Sequence, residues 1–412
     1  MNQSDRKKVI VIGGGAAGFF AAVNAARMNP ELDITILEKS KEVLSKVRVS
    51  GGGRCNVTHH CFDPEQLARA YPRGGKALKW SFKQFQPKDT VEWFEYRNVR
   101  LKTEADGRMF PVTDSSETII NCLLEEARKY SVTIKTKTKV NRVDLIEGSK
   151  FKLDINKAEP LVCDRLVIAT GGSSRRRDYD WLEQFGHSIV PPVPSLFTFN
   201  FRNKIFSDLA GISVDRAEVR IRNTSYKESG PVLITHWGLS GPSVLKLSSR
   251  AARELNEMEY RFEILVNWLH PMTEQEIREK LIELRAKNSK KQVNKQDQLL
   301  IPARLWERFL ELSGLKGNSR WAEVSNKQIH ELTQQLYQPV YAIQGKTTYK
   351  EEFVTCGGIP LKEVNPNTLE SKKIPGLYLA GEVLDIDGIT GGFNFQAAWT
   401  NGWLAAKAIA DA

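Results

Sequence analysis

The sequence predicts an α/β fold in which a domain with a central parallel sheet and a β-meander is interrupted by an inserted β-barrel and helical domain. Three observations lead there. Residues 8–37 read as strand, glycine turn, helix and strand. Strand-length apolar runs ending in small residues recur downstream at 166–172 and 377–382. Between those two runs, from about 193 to 345, alternating strand patterns give way to charged helical ones. The expected boundaries are therefore 1–192 and 346–412 for the sheet domain and 193–345 for the insert.

The first element is the run Lys8 to Ile12, apolar and β-branched, which reads as a buried strand. Gly13-Gly14-Gly15-Ala16-Ala17-Gly18 follows and fits the spacing G-x-G-x-x-G. A helix from Ala16 to Met28 and a second strand from Ile34 to Leu37 complete the unit, and Glu38-Lys39 ends it. Each position has a physical role. Gly13 permits the tight turn, Gly15 lets a pyrophosphate approach the backbone, and Gly18 lets helix and strand pack closely. The helix N-terminus, with Ala16 and Ala17, offers free N–H groups and partial positive charge to phosphates. Glu38, with Lys39 beside it, stands where a ribose diol would be bound. This makes the unit a Rossmann-like dinucleotide-binding motif.

Composition sets outer limits. A chain of 412 residues can bury a large core and hold two or three domains. No apolar run reaches the roughly 18–20 residues that a membrane span needs. The start MNQSDRKK leads straight into the first strand, which reads as leaving no room for a signal peptide, and five scattered cysteines do not form a disulfide framework. A cytoplasmic location is expected. The net charge of +11 raises nucleic acid as a partner. The densest clusters, Arg175-Arg176-Arg177 and Lys290-Lys291, lack interleaved aromatics, so a basic surface around a site for anionic cofactors is the favoured reading.

Beyond Glu38, the loop Ser50-Gly51-Gly52-Gly53-Arg54-Cys55-Asn56 can bring N–H groups close to a ligand, with Arg54 and Asn56 adding charge and hydrogen bonds. Helical spacing follows at 64–71, 75–85 and 87–96, and a helix runs from about 117 to Tyr130 after the cap region Asp114–Glu117. A third strand edge spans Val132 to Ile134. The stretches 140–145 and 151–155 form the meander. Leu166 to Gly172 is another strand, ending in Ala169-Thr170-Gly171, small residues that leave room at a sheet crevice. Pro191–Pro194 reads as a stiff boundary. In the insert, 197–201, 214–222 and 260–266 read as barrel strands. Residues 238–243 read as a turn capping a helix from 244 to 255, and 274–287, 302–312 and 326–336 as helices. The charged run 287–298 reads as helix end and solvated loop. The chain then returns through Thr355–Ile359 and the strand Leu377 to Gly381-Glu382. The segment 385–394 contains Asp387, Gly391, Gly392, Phe393 and Asn394, and a closing helix runs from Phe395 to Ala410.

The motifs GGGAAG, SGGGRCNVT, ATGG at 169–172, THWGLSGPSVL at 235–245 and GEVLDIDGITGGFNFQAAWTNG at 381–402 resemble those of the HI0933-like flavoproteins, relatives in fold of glutathione reductase. The resemblance spans nearly the whole chain. It implies an FAD domain interrupted by a barrel and helical insert, and an NAD(P)/FAD-dependent oxidoreductase; some members are similar to aminoacetone oxidases and others to bile-acid-metabolising reductases. It implies FAD contacts at Gly53, Arg54, Cys55 and Asn56, and at Ala169, Thr170 and Gly171. It places the backbone of Val140 against the adenine, and Gly381, Glu382 and Asp387 near the ribityl and pyrophosphate. Gly391, Gly392, Phe393 and Asn394 then lead the last helix toward the isoalloxazine. The sequence departs from the family at Ser173–Asp178, which is short and basic.

No side chain stands out as a general base; His187 and His236 are the candidates, each more consistent with a structural role. Cys55 and Cys61 have the wrong spacing for a redox pair, the ligands of Cys55-x3-His59-His60-Cys61 are too crowded for zinc, and Cys356 reads as a small buried residue. No metal is expected. A second G-x-G-x-x-G is absent, so NAD(P)H is expected only as a transient donor, with a small molecule as substrate. Two alternatives remain open: an RNA-directed flavoprotein, and an FAD-binding protein without turnover.

Overall fold

The structure, a computed structural model, describes residues 6–156, 158–295, 298–348 and 354–412. Its contacts divide the chain into two compact units, the described parts of 1–195 and 349–412, and residues 196–348.

The first unit is built on five parallel strands in the order Leu377–Leu379, Arg165–Ile168, β1 (Lys8–Ile12), β2 (Asp33–Leu37), Thr133–Lys135. The near-continuous apolar sequence of β1 and of 166–168 follows from their burial in the middle of the sheet, where neither face meets water. Strand order reverses between β1 and Arg165–Ile168, so a crevice opens at their carboxyl ends. The helix α1 (Ala16–Met28) begins there. Along its length α1 packs on the terminal helix Phe393–Asp411. Gly402 permits that approach, because a Cβ there would lie 2.7 Å from the Ala17 carbonyl oxygen. Phe20 completes the contact, packing against Trp93, Trp399 and Phe85 at 4.7, 5.2 and 5.5 Å between ring centres.

The meander is present as three antiparallel strands, Val140–Ile146, Lys150–Ile155 and Leu161–Cys163. Pro191–Pro194 immediately precedes the point where this part of the first unit ends, at Ser195. It lies in the strand Val190–Ser195, paired antiparallel with Val354–Gly358. A two-stranded sheet has only edges, where prolines cost no interior ladder bond. The terminal helix starts at Phe393, two residues before the expected Phe395, because Gly392 takes a left-handed conformation (φ +88°) as its cap.

The second unit is a closed barrel in the order Thr198–Phe201, Gly238–Ser240, Lys227–Ile234, Ser213–Ile221, Arg261–Asn267, Tyr337–Thr347. The expected turn at 238–243 is instead a barrel strand followed by a helix from Pro242, which breaks at Ala251. Lys227–Ile234 and Tyr337–Thr347 escape sequence reading because Gly and Pro interrupt the first and the second follows a helix with no break. The helices Glu274–Lys287 and Asn326–Leu336 each begin with a capping box, Thr273 with Glu276 and Ser325 with Gln328. They cover a core that includes Trp268, Trp306 and Trp321. Residues 296–297 of the charged run, and residues 1–5 of the N-terminal stretch, lie outside the described residues. Among the described residues no helix is long and apolar enough to cross a membrane.

Candidate functional site

The crevice is assembled from the glycine turn upward. Gly13 (φ +111°) packs on the neighbouring strand: a Cβ there would lie 2.3 Å from the Ala169 carbonyl oxygen. Gly18 packs back on the turn, its Cβ position 2.0 Å from the Gly13 oxygen. Gly15 differs from both. A Cβ there would meet nothing within 4 Å, and as N-cap of α1 it supplies no side chain to the first turn, with Ala16 and Ala17 next in line. Two of the three motif glycines therefore close the turn and one borders open space. Gly52, Gly53 and Gly171 border open space in the same way.

Glu38 is anchored in the turn it serves. Its Oε2 accepts the Gly14 N–H at 2.8 Å, and its Oε1 accepts the N–H and hydroxyl of Ser40, each at 2.8 Å. Thr138 N–H donates to the Glu38 carbonyl (2.8 Å), which sets the start of the Val140 strand beside this corner. A hydrogen bond from Ser173 and the neighbouring Arg175 hold the Asp178 carboxyl below its usual range, and the charge of the exposed Lys39 adds to them. The departing loop 173–178 thus flanks the same corner. Thr170 is exposed and Gly171 takes a φ of +72°.

The stretch 45–53 is a helix interrupted at Ser50–Gly52, where the backbone leaves helical angles. It is pinned over the turn by the Leu44 N–H to the Gly14 carbonyl (2.8 Å) and by Lys46 to Glu382 (2.7 Å). The other Glu382 oxygen accepts the Thr355 N–H at 2.8 Å. The Arg54 guanidinium is held within the protein, 2.6 Å from Glu104 and 4.0 Å above the Phe110 ring. Cys55 is fully buried, its thiol pushed up to about 12 by burial, and both Cys55 and Cys61 are free thiols. With its amide in the orientation its neighbours require, Asn56 joins distant parts: its oxygen accepts the Gly392 N–H (2.9 Å) and its nitrogen donates to the Thr58 carbonyl (3.1 Å).

At the other end of the motif set, Gly381 lies against Ala17, its Cβ position 2.9 Å from that methyl, and its N–H reaches the Asn401 side chain at 3.3 Å. Asp387 is buried. Arg73 grips both its oxygens, and the Ser195 hydroxyl donates to it at 2.7 Å. Burial nevertheless raises the Asp387 pKa, against the pull of Arg73. Gly391 (φ +133°) packs on the Phe393 ring. The Asn394 side chain both accepts from Gly388 N–H (2.8 Å) and donates to its carbonyl (3.0 Å), closing the loop before the helix.

Several residues outside the expected contact set hold this loop. His59 stacks on Phe393 at 4.6 Å and contacts the Asp106 carbonyl at 3.1 Å. The buried Tyr71 donates to the Phe393 carbonyl at 2.7 Å. Gln396 accepts from Thr58 (2.6 Å) and Thr90 (2.9 Å), and Trp399 donates to the Val57 carbonyl (2.9 Å). A signal existed in the i, i+4 pair of polar residues Gln396 and Thr400 on an apolar helix. Of the two candidate histidines, His187 is locked between Glu363 (2.8 Å) and Ser371 (2.9 Å). His236 is exposed on a barrel turn of the second unit.

Comparison with known proteins agrees with this geometry. The family described as "HI0933-like protein Rossmann domain" matches residues 7–408. The chain is 29% identical to the 3-dehydro-bile acid delta(4,6)-reductase of Clostridium scindens, over 98% of this chain and 99% of that one. It is 30% identical to the ribosomal RNA dihydrouridine synthase of Escherichia coli, over 98% of each. Among solved structures it is similar to the 3-ketosteroid delta1-dehydrogenase of Sterolibacterium denitrificans, with TM-score 0.53 and 13% identity over 99% of this chain and 100% of that one. The 3-ketosteroid-delta4-(5alpha)-dehydrogenase of Rhodococcus jostii gives TM-score 0.52 and 13% identity over 98% and 97%. The fold is thus the Rossmann-like FAD-binding fold with a closed six-stranded barrel.

Proposed function

The chain belongs to the HI0933-like family of flavoproteins, and on that premise we propose that it is an FAD-dependent oxidoreductase passing a hydride between NAD(P)H, or a small organic substrate, and an acceptor. The observation that carries this reading is the open ground at Gly15, at the N-terminus of α1 and the switch point of the sheet. Bound FAD would supply the hydride relay at its N5 atom. The chain's own residues would hold it. The N–H groups at Gly15, Ala16 and Ala17 would turn positive charge toward a pyrophosphate, and Glu38, which already accepts three hydrogen bonds, keeps a lone pair on Oε2 for a ribose hydroxyl. Gly52, Gly53 and Gly171 give the backbone access that any Cβ would deny. At the terminal helix the Gly392 N–H is taken by Asn56, so the N–H groups of Phe393, Asn394 and the next residue, which lack intrahelical acceptors, would be the donors to a flavin carbonyl. Asp387 serves as a positioning residue that sets the loop before that helix. The named activities of the two relatives each saturate a carbon–carbon double bond, and we take a double bond conjugated to a carbonyl as the acceptor here.

A second reading has a specific support: the relative named for ribosomal RNA is matched along 98% of both chains, and this chain carries a net charge of +11. In that reading the double bond belongs to a uracil base in RNA. One experiment tests both. The purified protein, loaded with FAD under anaerobic conditions, is bleached with NADH or NADPH and then offered an unsaturated ketone or unmodified RNA. Reoxidation by the ketone supports the first reading, and dihydrouridine in digested RNA the second. A colourless protein that binds no added FAD overturns both.

A further inference from the structure

On the far side of the loop before the terminal helix, the first unit carries a basic helix that the proposed redox function does not use. The helix Gly75–Phe82 buries Leu78, Ser81 and Phe82 and turns Lys76, Lys79 and Trp80 outward, with Lys83 as its C-cap. Trp80 is 57% exposed, and the Lys83 ammonium sits 4.1 Å from its ring centre. A large indole left in water beside cations is the pairing that nucleic-acid platforms use, since every base offers a π-face and every phosphate a charge. Beside the helix lies a cleft of about 710 Å³ whose lining includes Arg69, Lys76, Lys79 and Lys362, with Asp385 as its acid and Pro72 among its apolar parts. Lys79 is paired with Glu65 at 2.6 Å; Lys76, Arg69 and Lys362 have no side-chain ion pair among the described residues. The helix N-terminus, capped by Gly74 without a side-chain bond, opens into the same cleft.

We propose that this face, the helix Gly75–Phe82 with Lys83 and the adjoining cleft, anchors a single-stranded RNA segment. The inference rests on the RNA reading above and deepens it, by giving the partner a landing surface outside the cofactor crevice. Lys76, Lys83 and Arg69 neutralise phosphates, Lys79 staying paired with Glu65, and Trp80 stacks on one base. A strand fits better than a small anion because the positive track continues past the cleft along a helix about 12 Å long. A single strand fits better than a duplex because the indole needs an unstacked base.

The test uses the FAD-loaded protein and a fluorescent uridine-rich oligonucleotide, with anisotropy read at several salt concentrations. The variant Lys76→Ala/Lys79→Ala/Lys83→Ala is expected to bind more weakly and to lose about 1.4 from the slope of log affinity against log salt, at about 0.7 for each of Lys76 and Lys83. Trp80→Ala is expected to weaken binding about tenfold with the slope kept. The charge-preserving Lys76→Arg/Lys79→Arg/Lys83→Arg is expected to bind as the native protein does, which separates lost charge from lost fold. Native-like binding by both the triple alanine variant and Trp80→Ala overturns the surface and leaves the redox reading standing. Absent or salt-independent binding by the native protein overturns the RNA reading and the surface together. Displacement of the oligonucleotide by inorganic phosphate at constant ionic strength overturns the strand in favour of a small-anion site.

Discussion

Two of the glycine-capped helices in the first unit are made in opposite ways. At α1 the cap Gly15 has extended angles (φ −92°), and its setting comes from the neighbouring turn, where Gly13 and Gly18 pack on Ala169 and on each other. At the terminal helix the cap Gly392 is left-handed (φ +88°). Its N–H is bound by Asn56, its successor Phe393 is stacked by His59 and hydrogen-bonded by Tyr71, and its preceding loop is pinned by Arg73 through Asp387. The first is a local device written in six consecutive residues. The second is a joint between segments far apart in sequence, and it tolerates loss differently.

The largest expected effect is at the local device. Gly13→Ala forces a Cβ to 2.3 Å from a backbone oxygen at a left-handed φ, so a loss of about 3 kcal/mol or more and of all bound FAD is expected, read by thermal unfolding and flavin absorbance. Next comes the joint. Asp387→Ala removes the carboxylate that Arg73 grips and the acceptor of the Ser195 hydroxyl, and is expected to cost about 3 kcal/mol in denaturant unfolding.

A third effect belongs to the cluster that ties Ser188 to residues 363–373. Desolvation pushes the Glu363 carboxyl up, but hydrogen bonds from Ser188, His187 and Lys373 outweigh it and hold it at about 2, below its ordinary 4.5. A depressed carboxyl stabilises the fold above its unfolded pKa, so this contribution, about 3 kcal/mol, is present near neutrality and is lost as pH falls from about 4.5 to 2. Burial lowers the pKa of His187, the same direction of loss on acidification. Acid unfolding of Glu363→Gln, followed by circular dichroism, should show a shallower dependence across that window. Asn56→Ala removes the acceptor from Gly392 and is expected to cost about 1 kcal/mol while weakening FAD binding, by titration. The smallest effect on folding is also the sharpest test of the comparison. Gly15→Ala meets nothing within 4 Å and needs no unusual φ, so the melting temperature of the FAD-free protein should stay unchanged while FAD affinity falls. Equal loss of folding in Gly13→Ala and Gly15→Ala would erase the distinction between turn closure and cofactor access.

The sheet unit was readable where order in sequence equals order in space. β1, α1 and β2 lie where their periodicity puts them, α1 to the residue. The same holds for Glu274–Lys287 and Asn326–Leu336, whose caps and apolar spacing are local. Reading failed where the partner decides the state. The prolines of 191–194 form a strand only because 354–358 lies alongside, and Gly238–Ser240 is a strand only because the barrel closes around it. At the site, the glycines and Glu38 could be named from spacing, whereas the engagement of Arg54 by Glu104 and of Asp387 by Arg73 could not, since no sequence distance encodes either pairing.

By itself the sequence determined that a dinucleotide cradle opens this chain, because the turn, the close packing and the helix N-terminus it needs are all properties of neighbouring residues. Tertiary structure alone decided that Gly52, Gly53 and Gly171 border open space, and which charges are already taken. Open space and charge pairing are set by atoms brought together from distant parts of the chain, and no local pattern records them.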